Sequence, residues 1–334
     1  MAENPSPKKY FCLEKRWTMF LKSKLKNPNA KGSSQKQREE IAGYMFLMPW
    51  IIGFLAFVIG PMVSSLYFSF CEADMLTPTK FIGLGNYSRL FSFNEVFSLF
   101  WRTLWNTGYY VFLTIPLNLI LGLLVAMLLN QKIIGRGIFR TIYYLPAVIS
   151  GVAVCMLWMW IFNPNLGILN YVLSSFHIQG PKWLFSERWS KPALIIMSLW
   201  GMGGGMLIYL AGLQGIPTQL YESAEIDGAG RWIKFFKITL PMLSPTIFFV
   251  LVTGIIGSFQ VFVATYVMTR GGPNNSTMMY VLYLYNLAFE QYRMGYACAL
   301  AWIYFGIIMG FIILIFKSSP VWLYYEGEIL KGRK

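Results

Sequence analysis

The stretch Tyr221–Pro241, YESAEIDGAGRWIKFFKITLP, sets Glu222, Glu225 and Asp227 beside Gly228 on a short bridge between two long apolar runs. Pro217 suits the first turn of a helix, Thr218 to Asp227 continue it, and Gly228 with Gly230 break it. Arg231 to Thr239 then resume helical spacing. Pro241 is expected to block its continuation, because it lacks a backbone N–H. Tyr221, Ala224 and Gly228 share one face, and Trp232, Phe235 and Phe236 gather on the second arm. Small and apolar residues beside carboxylates suit a protein groove or a membrane interface.

The surrounding chain explains why such a bridge is unusual. Of its 334 residues, 56% are hydrophobic, 18% aromatic and only 13% charged, against about 25% charged in ordinary soluble domains. This composition defines an integral membrane protein. Apolar windows long enough to cross a hydrocarbon core of about 30 Å fall near 43–70, 107–130, 141–163, 192–215, 243–268 and 296–317. The expected fold class is therefore an all-α polytopic membrane protein with six transmembrane helices.

The formal charge of +14 is distributed by segment rather than as a nucleic-acid-binding face. Twenty of the 28 Lys and Arg lie in 1–42, 131–140, 216–242 and 317–334, and the remaining eight lie in 71–106, 164–191 and 269–295. By the positive-inside bias, the bridge and both termini are expected in the cytoplasm. Three regions follow: a basic tail at 1–40, a six-span domain at 41–318 and a short tail at 319–334. The first 40 residues lack an apolar core followed by a cleavage site, so the first span is expected to act as an uncleaved anchor. Within the tail, Trp17, Phe20, Leu21 and Leu25 share a helical face ringed by Lys15, Arg16, Lys22 and Lys24. That pattern fits an interfacial helix on anionic lipid or a disordered basic segment. KNPNAKGSSQKQ reads as a flexible linker. Phe97, Phe100, Trp101 and Leu104 suggest a further helix lying at the interface.

Ordinary site chemistry is missing. Cys12, Cys71, Cys155 and Cys298 are scattered, and His177 is the only histidine, so neither a disulfide framework nor a metal centre is expected. No G-x4-G-K-[S/T] phosphate loop occurs. Nor do the spans carry the carboxylates that proton- or sodium-driven carriers use.

Glu222-Ser223-Ala224, three residues, Gly228, nine residues, Ile238, one residue and Leu240-Pro241 match the EAA loop, E-A-A-x3-G-x9-I-x-L-P, of bacterial ABC-importer permeases. Ser223 in place of the first alanine is the one departure. FIGLGNYSRLF and GGPNNSTMMYVLYLYNLAFEQYRMGYACALA further resemble the carbohydrate, maltose-type members, over about residues 41–317. The resemblance implies a type I importer permease whose loop at 216–242 docks on a cytoplasmic ATPase subunit. Tyr221, Glu222, Ser223, Ala224, Asp227, Gly228, Arg231, Ile238, Leu240 and Pro241 would form that coupling element. It further implies a second permease, two ATPase subunits that use ATP and Mg, an extracytoplasmic binding protein and a bacterial cytoplasmic membrane. The chain itself would bind no cofactor and would not be an enzyme.

Sugars are held by aromatic faces together with amides and hydroxyls. Trp200 and Tyr209 flank the run Gly203-Gly204-Gly205, and Phe259, Phe262 and Tyr266 surround Gln260, the amide at the centre of the fifth apolar run. These six are candidate pathway residues, with Asn118 after Pro116 as a further amide; helix packing or lipid contact is the other reading for them. Glycerophosphate or peptide cargo, or a secondary carrier, are the alternative functions.

Overall fold

The computed structural model describes residues 28–74, 78–90 and 95–324. The Trp17–Leu25 helix expected in the tail lies outside them. The chain divides into two units, Met1–Ser64 and Ser65–Lys334.

The first unit contains α1 (Pro28–Phe54), a π turn at Leu55–Ile59 and the beginning of α2 (Gly60–Ser69). The expected linker is therefore helix from Pro28 onward. Its Gln35-Lys36-Gln37-Arg38-Glu39-Glu40 run consists of good helix formers and leads directly into the apolar span. No side chain described between 37 and 64 is buried. An apolar helix exposed on all sides suits lipid or another chain, not water.

The second unit is organised around one long helix. After β1 (Cys71–Glu72), β2 (Lys80–Phe81) and α3 (Gly85–Leu90), α4 runs unbroken from Glu95 to Asn130. At 1.5 Å per residue, its 36 residues reach about 54 Å, well beyond a hydrocarbon core of about 30 Å. The interfacial helix expected around Phe100 is thus the first part of this rod. Phe100 is buried and meets Tyr280 edge to face, so it belongs to the core instead of a lipid-facing surface.

The chain then forms α5 (Arg136–Val148), α6 (Gly151–Ile161), α7 (Ile168–Ser175), α8 (Ser190–Trp200) and α9 (Gly203–Gln214). It ends with α10 (Thr218–Ile226), α11 (Arg231–Lys234), α12 (Leu240–Phe259), α13 (Val263–Met268), α14 (Tyr280–Tyr285) and α15 (Met294–Trp322). Helix α4 packs on α8, α9, α12 and α14. Three apolar clusters follow its length. Val111 and Ile115 join Phe259 and Tyr304; Tyr110 joins Phe162 and Leu194; Val125, Ala126 and Leu129 join Met206, Tyr209 and Leu243.

Among the described residues, four stretches are long and apolar enough to cross a membrane, namely Gln37–Ser69, Ser98–Asn130, Arg231–Met268 and Met294–Trp322. Two broken pairs bring the crossings to six if each counts once. The pair α8 and α9 bends by 44°, while α5 and α6 meet at 102°. The third expected span is therefore a corner and not a straight helix. Its cause is local: Ile149 and Ser150 are extended, with ψ of 141° and 133°, after Pro146 and before Gly151.

The motif FIGLGNYSRLF also has a structural basis. The buried Asn86 side chain donates to the Ser69 and Cys71 carbonyls at 2.9 and 2.8 Å. Gly295 N–H donates to Ala73 O at 3.0 Å, which fastens the small β hairpin to the start of α15.

Candidate functional site

The bridge forms the helix–glycine–helix elbow expected from its sequence. Helix α10 ends in a Schellman arrangement, with Ala229 N–H on Ala224 O at 2.8 Å and Gly228 N–H on Glu225 O at 3.0 Å. Gly228 has φ of +74°, the left-handed region that glycine enters without a Cβ penalty.

The second arm does not stop at Pro241. Helix α11 passes through a π turn, Phe235–Thr239, in which Leu240 N–H reaches Phe235 O, and then becomes α12. Pro241 consequently falls in the first turn of α12, where a missing N–H costs least. The elbow is therefore continuous with the Arg231–Met268 crossing.

The elbow has two distinct faces. Tyr221 and Ala224 are half-buried, whereas Glu222, Ser223, Asp227 and Arg231 are exposed. Ile226 and Trp232 are 88% and 76% exposed, and the Trp232 ring stacks on Phe236. Ile238 packs against the cluster that contains Tyr209 and Leu243, and Leu240 and Pro241 are half-buried.

Two contacts hold the arms together. Tyr221 Oη and Thr239 Oγ1 are 2.9 Å apart, and Lys234 Nζ donates to Glu225 Oε1 at 2.6 Å. The Lys234 ammonium holds the Glu225 carboxyl below its ordinary value of 4.5. A lowered carboxylate pKa means this contribution is present above the ordinary value and lost as pH falls through the lowered one. The bridge is intact at neutral pH.

A separate cleft of about 270 Å³ opens between α4, the α8–α9 junction, α9 and α12. Asn118, Thr253 and Ser258 supply its polar lining, Gly201, Gly205 and Gly254 its bare backbone, and among the described residues no ionisable side chain lines it. Asn118 donates to Thr114 O at 3.0 Å.

The six candidate pathway residues do not form one group. Trp200 lies at the end of α8, edge to face with Trp158 at 6.1 Å, next to Gly201 in the cleft wall. Tyr209 and Phe259 are buried in two different apolar clusters of this chain. Gln260 is not at a span centre: it is exposed at the break between α12 and α13, where the helix ends after Phe259. Phe262 and Tyr266 stack at 5.3 Å and both meet Tyr285. The glycine run also divides. Gly203 lies against the Tyr143 backbone, Gly205 faces Val250 and the cleft, and Gly204 has open space.

Two further features were not read from the sequence. The Ile149–Ser150 corner is non-helical and exposed, a state tolerated at membrane depth only beside protein or a water-filled cavity. The signal for it is the Pro146…Gly151 spacing. Asn106 is buried, donates to the carbonyls of Asn275 at 2.9 Å and Met278 at 3.1 Å, and accepts from Lys191 Nζ at 3.1 Å. It orders the GGPNNST loop.

The fold is a multi-span helical bundle with an exposed elbow and a separate cleft between its helices. The chain belongs to the family of binding-protein-dependent transport system inner membrane components, matched over residues 118–323. It is thus a multi-pass membrane transport component and not an enzyme. It is 41% identical to the probable ABC transporter permease protein YesP of Bacillus subtilis, across 89% of this chain and 96% of that one. Identity is 33% to the trehalose/maltose transport system permease protein MalF of Thermococcus litoralis, across 85% and 96%. Among solved structures, a chain of a bacterial alginate ABC transporter in complex with an alginate pentasaccharide-bound periplasmic protein matches with a TM-score of 0.72 at 25% identity, covering 85% of this chain and 96% of that one.

Proposed function

We propose that this chain is a permease subunit of an ATP-driven, binding-protein-dependent importer of oligosaccharides or a related sugar. The neutral, hydroxyl- and amide-lined cleft carries the cargo assignment. It can hydrogen-bond a polyol but offers no counter-charge to a phosphate or a peptide terminus. The names of the relatives, which include permeases for trehalose and maltose and for lactose, support the same class.

The cleft is smaller than the roughly 300–1,000 Å³ of complete ligand sites, which fits half of a pathway shared with a second permease. Asn118, Thr253 and Ser258 would line it, with Trp200, the Ile149–Ser150 corner, Gln260, Phe262 and Tyr266 along the route. Two cytoplasmic ATPase subunits would use ATP and Mg, one of them docking on the exposed face of this elbow, at Glu222, Ser223, Asp227 and Arg231. An extracytoplasmic binding protein would deliver the sugar.

The test is uptake by the reconstituted complex, offered a neutral oligosaccharide, glycerophosphate and a tripeptide. Sugar-selective uptake is expected. Asn118→Leu should lower it by about tenfold, the value of one well-made hydrogen bond, while complex yield is retained. Uptake of the phosphate or peptide in preference to sugar would overturn the cargo assignment.

Both termini are expected in the cytoplasm. Reporter fusions should place the 71–106, 164–191 and 269–295 connections outside. External labelling of 216–242 would refute the elbow as an ATPase contact.

A further inference from the structure

The elbow has a feature that docking does not require. Tyr221 and Glu225 are one helical turn apart on α10 and therefore share a face. Both grip the root of the fifth crossing. Glu225 takes the Lys234 ammonium at 2.6 Å, and Tyr221 Oη meets Thr239 Oγ1 at 2.9 Å.

Lys234 is where the two contacts meet. The Thr239 hydroxyl donates to Lys234 O at 3.4 Å, which uses its one proton and makes Tyr221 Oη the donor of the other bond. A relay thus runs from Tyr221 through Thr239 to the Lys234 carbonyl, while the same residue's ammonium holds Glu225. Thr239 is buried and ends the π turn, and Tyr221 is half-buried against it. The next residues around α10, Glu222 and Ile226, are exposed and also one turn apart.

We infer that Tyr221 and Thr239, supported by Glu225 and Lys234, are positioning residues that make α10 and the Arg231–Met268 crossing move as one lever. On this view α10 has a division of labour, with Glu222 and Ile226 turned to a partner and Tyr221 and Glu225 turned to the chain's own span. Two further observations support it. The π turn carries helix through Pro241, so the joint continues into α12 without a break. The residues between the arms, by contrast, have little to hold them: Gly228 and Gly230 have no heavy atom within 4 Å of an added Cβ. An elbow joined only by that open glycine turn would flex and absorb the motion of a docked ATPase. The clamp removes this freedom.

The inference rests on the elbow being the ATPase contact, and the experiment separates the two. In the reconstituted complex, Tyr221→Phe, Thr239→Val and the double variant are compared for ATPase co-purification and for sugar transported per ATP hydrolysed. Each single variant should keep the ATPase bound and lower the transport-to-hydrolysis ratio several-fold, up to about tenfold, as loss of one hydrogen bond allows. The double variant should be no worse than Thr239→Val, which already removes both the Tyr221 bond and the bond to the Lys234 carbonyl. Thr239→Ser, which keeps the hydroxyl, should restore the ratio. A normal ratio in Tyr221→Phe, or additive losses without rescue by Thr239→Ser, would overturn the clamp. Glu222→Lys reports on the underlying contact: if it retains the ATPase, the docking reading itself fails.

Discussion

Gly228→Val is expected to leave the protein inserted in the membrane but to abolish sugar-stimulated ATP hydrolysis. At φ of +74° a β-branched residue pays about 1–3 kcal/mol of backbone strain. The Schellman bonds from Gly228 and Ala229 to Glu225 and Ala224 would be lost with it. An added Cβ meets no heavy atom within 4 Å, so the damage comes chiefly from the backbone. Gly228→Asn should retain most function, because asparagine enters the left-handed region at lower cost. Glu222→Lys is expected to weaken ATPase association by a different route, reversing an exposed charge at the proposed docking face. Co-purification of the ATPase and hydrolysis with and without sugar measure both effects. Wild-type stimulation in Gly228→Val and Glu222→Lys at equal membrane levels would remove the elbow from the mechanism.

Gly203→Ala should lower complex yield and Tm, whereas Gly204→Ala should be silent or mildly stabilising. A Cβ on Gly203 would fall within contact distance of the Tyr143 carbonyl and 2.9 Å from Tyr144 Cα. Both are backbone atoms that cannot rotate away, so α5 and α9 must separate, at about 1–3 kcal/mol for overpacking. Gly204 has nothing within 4 Å, and alanine in a helix interior gains about 0.8–1 kcal/mol over glycine. Thermal unfolding of the two purified variants decides between them. Equal losses would show that the whole glycine run serves helix packing.

The contrast between those neighbours shows where sequence reading stops. Gly203, Gly204 and Gly205 are indistinguishable as letters, and their roles depend on which helix lies opposite each one. Gln260 and Asn118 are a similar pair. Both are amides in apolar runs, but the helix ends after Phe259 and leaves Gln260 exposed at the break, while Asn118 falls where α4 meets the cleft. Tyr209 and Phe259 were legible as aromatic, but their burial in separate clusters was not.

The membrane class, the number of apolar runs, the elbow and its glycine are all legible in the residues alone. Those follow from short-range physics: hydrophobic length against bilayer thickness, and a left-handed turn that favours a residue without Cβ. Helix packing is what carries Pro241 inside a helix, bends α5 against α6 into a 102° corner and turns Tyr221 to its own span. A π turn, a corner and a hydrogen bond between residues 221 and 239 each depend on which surfaces other segments cover, and that is settled only when the helices pack.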